Sequence, residues 1–214
     1  MSKSWRINLS KIIWLIVFAI AMGLLEAVVV VYLRALYYPD GFTVTGLDSL
    51  KTIPMNMIVI ELCREVATII MLSGIAFLTC RTGDWWGRFA VFIMGFGIWD
   101  IFYYIWLKVF INWPESLYTE DVLFLIPFPW LGPVLGPVIV SCVMIAAGLS
   151  ILIYYTEDPH LKKIHIIYGF IAVWLIFSAF SFSNFSRDAN LWNYLLVGLF
   201  LGMFTLITIF RKTG

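Results

Sequence analysis

Three charged residues, Glu61, Arg64 and Glu65, interrupt an otherwise apolar run from Pro54 to Cys80. Ionisable side chains at membrane depth are strongly unfavourable, and they persist where they pair, face a wet cavity or take part in chemistry. Glu61 and Glu65 stand four apart and so share a helix face, with Thr68 near the same line. Arg64 is adjacent to that face and can pair with either carboxylate or with one on a neighbouring helix. Two further carboxylates, Glu26 and Asp100, lie inside the first and third apolar runs. Four carboxylates and one guanidinium cannot all be charged comfortably in a low-dielectric site, so protons would be shared among them. That suits general acid–base chemistry, with Glu61, Glu65, Asp100 and Glu26 as the catalytic candidates. It equally suits a proton-coupled carrier.

A hard cation such as Mg²⁺, Mn²⁺ or Ca²⁺ is a third use for paired carboxylates. The Glu-x-x-x-Glu spacing fits a metal, but Arg64 beside it argues against one. A carboxylate-bridged di-iron site would add Glu-x-x-His, and no histidine lies near. No metal is expected at these residues, and the sequence names no cofactor.

Composition sets the elements that must position these side chains. Of 214 residues, 62% are hydrophobic and 13% are charged, with a mean hydropathy of +0.96. A soluble domain carries about 25% charged residues. The expectation is an all-α integral membrane protein, a single six-helix transmembrane domain over residues 1–214. Its spans fall at about 12–36, 54–80, 87–112, 134–155, 164–182 and 191–210. The location that follows is the cell membrane, the cytoplasmic one in a bacterial source, with membrane lipids as immediate partners.

Other readings fall away. A net charge of +1 argues against a nucleic-acid partner. His160 and His165 share one short loop, which leaves no intramembrane histidine pair to ligate haem and reads as solvated loop rather than metal site. Cys63, Cys80 and Cys142 are scattered without C-x-x-C spacing and read as small apolar residues. Ala19-Ile20-Ala21 has the form of a signal-peptidase site, but the apolar run continues well past it, so a retained span is expected. Within that span Ala19, Gly23 and Ala27 recur every fourth residue, a stripe that suits close helix packing. No Walker, Rossmann, zincin or Gly-x-Ser-x-Gly motif occurs.

Between the third and fourth spans, Pro127, Pro129, Pro133 and Pro137 fall within eleven residues of strongly apolar sequence. Each removes a backbone donor and clashes with the preceding turn, so a plain helix is excluded. Val122 to Gly132 reads as a proline-rich re-entrant or interfacial half-segment before helix 4, of the kind tolerated at membrane depth where protein buries it or it lines a cavity. A proline-stiffened surface loop is the alternative.

Orientation follows from basic residues. With the N-terminus inside, the inner face carries Lys3, Arg6, Lys11, Arg81, Arg88, Lys162, Lys163, Arg211 and Lys212; the outer side carries Arg34, Lys51, Lys108 and Arg187. Nine against four, with Arg64 inside the membrane, favours N-in/C-in. Helical rise then puts Glu26 roughly 15 Å, Glu61 about 10 Å, Glu65 about 16 Å and Asp100 about 18 Å below the outer ends of their spans. Arg64 falls at the same level, and Arg34, Tyr104, Lys108 and Asp121 stack above.

These features converge on an outward-facing intramembrane carboxylate/arginine pocket, walled by the first three spans and roofed by Val122 to Gly132. It is expected to bind or process a small amphipathic or lipid-like molecule. Arg64, Arg34 and Lys108 would hold an anionic head group, with Tyr104 and Asp121 beside them. Whether the protein is an enzyme stays open. One alternative is a solute-binding subunit or proton-coupled carrier. Against it stands the scarcity of polar residues in the inner halves of the spans beyond Ser73, Thr79 and Ser141. A second is an accessory or assembly subunit with structural ion pairs. It predicts Glu26 paired with Arg64, Asp100 with Lys108, and no cavity. An oligomer or a partner subunit is compatible with each.

Overall fold

The computed structural model describes residues 8–44, 53–126, 129–154, 162–182 and 189–210. Among the described residues there are six helices: α1 (Leu9–Tyr37), α2 (Met55–Thr79), α3 (Trp85–Ile111), α4 (Leu135–Tyr154), α5 (Lys163–Phe182) and α6 (Ala189–Phe210). Two short strands, β1 (Glu120–Phe124) and β2 (Trp130–Pro133), lie between α3 and α4. All the helices except α2, five in number, are long and apolar enough to cross a membrane. These are the dimensions of a multi-pass membrane protein. Large apolar side chains such as Ile70, Leu78, Phe170 and Phe200 are exposed on the helix surfaces, as suits helices bathed in hydrocarbon rather than water.

Local chemistry starts and stops the helices. Asn8 caps α1 by accepting the Ser10 N–H at 3.1 Å, and Asp84 caps α3 by accepting the Gly87 N–H at 2.8 Å. Pro54 precedes α2, where its missing N–H is no loss. Asn112 closes α3 in the left-handed conformation, at φ 53°, which asparagine tolerates better than most residues.

The central element is α3, packed against α1, α2 and α4. Glycine lets two of these contacts come close. A Cβ on Gly23 would sit 2.9 Å from the Trp99 carbonyl oxygen, and one on Gly97 would sit 2.6 Å from the Ser141 carbonyl oxygen. Ala19 and Ala27 flank Gly23 and are fully buried, so the small-residue stripe of α1 is its packing face. Leu15, Met22, Leu72, Met94 and Trp99 fill the core around it. A second cluster, Ala179, Phe180, Leu195 and Leu199, joins α5 to α6. By contrast α2 touches α1 lightly. Lys11 Nζ donates to the Thr79 carbonyl at 2.7 Å near one end, and the ion pair described below bridges the middle.

Over Val122–Gly132, where irregular backbone is expected, the chain forms an antiparallel hairpin. Glu120 faces Pro133, Asp121 faces Gly132, Val122 faces Leu131 and, past a bulge, Phe124 faces Trp130. The prolines fall where this arrangement tolerates them. Pro129 precedes β2, Pro133 ends it, and Pro137 sits in the first turn of α4, whose N–H groups have no intrahelical acceptor. Pro127 and Phe128 lie outside the described residues, as do Lys3, Arg6, Lys51, His160, Arg187, Arg211 and Lys212 of the charge and histidine readings.

Candidate functional site

Among the described residues, seven carboxylate or guanidinium side chains line one cavity of about 360 Å³: Glu26 and Arg34 from α1, Glu61, Arg64 and Glu65 from α2, Asp100 from α3, and Asp121 from β1. The remaining wall is largely aromatic and aliphatic, with Phe96, Trp99, Trp130 and Phe180 among its members.

Arg64 is the hub of one end. Its Nη2 lies 2.8 Å from Glu26 Oε1 and 2.7 Å from Glu61 Oε1, and its Nε donates to Glu61 Oε1 at 2.8 Å. The Glu61 contact spans one helical turn, and the Glu26 contact ties α2 to α1. Thr68, one turn on, donates its hydroxyl to the Arg64 carbonyl at 3.0 Å. Glu65 takes no part in this pairing. It is 4% exposed, and both its carboxylate oxygens accept the backbone N–H of Leu125, at 3.1 and 3.2 Å, just beyond β1. Asp100 accepts the Ser141 hydroxyl at 2.8 Å, which links α3 to α4.

Arg34 and Asp121 mark the other end. Arg34 Nη2 contacts Asp121 Oδ1 at 3.3 Å, and the guanidinium carbon lies 3.7 Å from the Trp113 ring centre and 4.3 Å from that of Phe42. The Tyr104 hydroxyl donates to Asp121 Oδ2 at 3.3 Å. Asp121 is 2% exposed. Burial raises its carboxyl to about 6, although Arg34, the Val122 N–H and the Tyr104 hydroxyl favour the charged form.

Of the side chains singled out from sequence, Lys108 is the one turned elsewhere. Its Nζ donates to the carbonyl oxygens of Asn112 (3.3 Å) and Pro114 (2.9 Å). Two steps of four residues rotate by roughly 80° around a helix, so the Asp100–Tyr104–Lys108 line drifts off one face. A lysine in a last turn also finds unpaired carbonyls close at hand. Tyr104 is buried and reaches the site through its hydrogen bond to Asp121 and its ring contacts with Tyr103 and Trp113.

Sequence reasoning passed over several participants. From sequence Ser141 reads as one of a few scattered inner-half hydroxyls, yet it is the partner of Asp100. A fully buried serine opposite a buried acid is a signal only when the two helices are known to touch. Phe42 and Trp113 come from segments that read as loops. The Leu125 N–H carries no side-chain signal at all. Trp99 faces Glu26 with its indole N–H but closes no hydrogen bond of ordinary geometry, and the Trp130 indole N–H has no acceptor among the described residues. Among the described residues, no group of three His, Cys, Asp or Glu is arranged to hold a metal ion. His165 turns its Nδ1 to the Lys162 N–H at 3.1 Å.

Fold and site together define a class, a multi-pass helical membrane protein with a charged cavity under a β-hairpin. Comparison with protein-family models, with curated proteins and with solved structures finds no match to the chain.

Proposed function

We propose that this cavity opens to the outer side of the membrane and binds or processes a small amphipathic or lipid-like molecule, with α2 as a sixth span whose charged face is turned inward. One observation carries the reading: seven carboxylate or guanidinium side chains from four separate elements surround a single cavity whose other walls are mainly apolar. Small-molecule sites occupy about 300–1,000 Å³ and combine apolar walls with a few convergent polar groups. Glu65 and Asp100 are the strongest acid–base candidates, because neither forms an ion pair among the described residues.

The accessory-subunit reading gains from the Glu26–Arg64 pair. It loses on its other two expectations, since Asp100 meets Ser141 rather than Lys108, and a cavity is present. Native mass spectrometry of the full chain released gently from detergent, with extraction of whatever co-purifies, tests the proposal. A bound amphipathic mass is expected on the wild type and is expected to be lost in Val140→Trp, which fills the cavity. Folded wild-type protein that carries nothing, and takes up nothing from added lipid extract, would sink the reading.

A further inference from the structure

We propose that the molecule this cavity takes is an amphipathic amine, its ammonium group held by Glu65 and Asp100 and its apolar part by the aromatic wall. This rests on the pocket reading above and names its ligand class.

Carboxylate charge is left over in the cavity. Five carboxylates and two guanidiniums line the cavity. Arg64 is taken up by Glu26 and Glu61. Arg34 pairs with Asp121 through Nη2, its Nη1 is buried without a hydrogen-bond partner among the described residues, and the guanidinium lies against Trp113 and Phe42. Lys108 is spent on backbone carbonyls at the end of α3. Among the described residues each guanidinium that lines the cavity thus already faces a carboxylate, and Lys108 stands apart from it, which favours a cationic ligand over the anionic head group expected from sequence for Arg64, Arg34 and Lys108.

The carboxylates tell the opposite story. Glu65 receives a single backbone N–H, and Asp100 a single hydroxyl. An ionised carboxylate offers about four acceptor positions, so each has capacity for further donors. An ammonium group supplies three N–H donors and the missing positive charge, and charge-assisted hydrogen bonds are the stronger kind. Phe96, Trp99 and Trp130 line the same space, and aromatic faces attract a cation as well as an apolar chain. A bare metal ion has no apolar part to set against those walls, whereas an alkylammonium is matched at both ends.

The test uses the full-length protein in phosphatidylcholine nanodiscs and labelled decylamine as probe, with empty nanodiscs as the blank and unlabelled decylamine, decanol and decyl phosphate as competitors. Saturable one-to-one binding is expected, displaced by decylamine and spared by the alcohol and the phosphate. Asp100→Asn and Glu65→Gln should each weaken it about tenfold, and Val140→Trp should remove it. Should Glu65→Gln not fold, Asp100→Asn carries the test alone. Displacement by decanol or decyl phosphate as effective as by decylamine overturns the amine assignment and leaves the pocket standing. Amine binding unchanged in the carboxylate variants overturns the assigned groups. Absence of saturable binding by any of the three compounds overturns both this inference and the pocket reading beneath it.

Discussion

Arg34 and Arg64 line the same cavity, yet they are stabilised by different means. Arg64 is compensated by charge, with two carboxylates from two helices within 2.8 Å. Arg34 has one longer ion pair, at 3.3 Å, and two aromatic rings over its faces. The difference follows from what each must fasten. Arg64 joins two helices that otherwise touch lightly, so its contacts are short and directional. Arg34 anchors the start of the hairpin near the end of α1, where loop aromatics are available to cover it. A part-buried cation can thus be kept by charge or by π-faces, and the choice decides what its removal leaves behind.

The largest effect should come from Arg64→Ala, which strands Glu26 and Glu61 together. Removing one partner of a fully buried pair destabilises by about 3–5 kcal/mol; these side chains are part-buried, so the low end, about 3 kcal/mol, is expected, and a lowered unfolding midpoint in nanodiscs would register it. The companion change Arg64→Met with Glu26→Gln removes both charges and should recover part of that loss. No recovery would mean that Arg64 does something other than balance charge.

Next in size is a pH effect at the Arg34 end. Asp121 is raised to about 6 from an ordinary value of 3.8, so the fold favours the protonated form. Its contribution to stability is full below about pH 4 and is lost as pH rises through 6. Measured against pH, Asp121→Asn should therefore gain on the wild type between pH 4 and 7, by up to about 3 kcal/mol. A flat difference would show that Arg34 compensates Asp121 as fully as Arg64 compensates its partners.

Arg34→Ala should be milder than Arg64→Ala, about 1–2 kcal/mol, because one ion pair and two ring contacts are lost while Tyr104 still serves Asp121. Arg34→Lys should fall between, keeping the charge without the planar stacking. Smallest of all is Lys108→Ala. It lies outside the cavity, so a stability change under about 0.5 kcal/mol is expected, with ligand binding unaltered.

Much of the helical architecture is legible in the apolar runs, and the six helices start and end within three residues of them. The charged residues stood out for the same reason, since a Glu or Arg within such a run is conspicuous. Glu26, Glu61, Arg64, Glu65 and Asp100 face one cavity because the helices that carry them, α1, α2 and α3, pack together. The pairing within that set was not legible. Arg64 is next to Glu65 in sequence but meets Glu61 and Glu26, because helix rotation and the neighbouring chain decide direction. The hairpin was hidden by its prolines, which exclude a helix without saying that Val122 and Phe124 will find Leu131 and Trp130. Long-range partners such as Ser141 for Asp100 depend on the close α3–α4 approach at Gly97, a tertiary fact.

The contact between Glu65 and the Leu125 N–H makes the hairpin a latch. A ligand donor that takes up either oxygen of Glu65 competes with the amide that fastens the end of β1 to α2. Occupancy deep among the helices would then be announced at the hairpin, as faster hydrogen exchange of the Leu125 amide, even with the ligand far from the hairpin's outer edge.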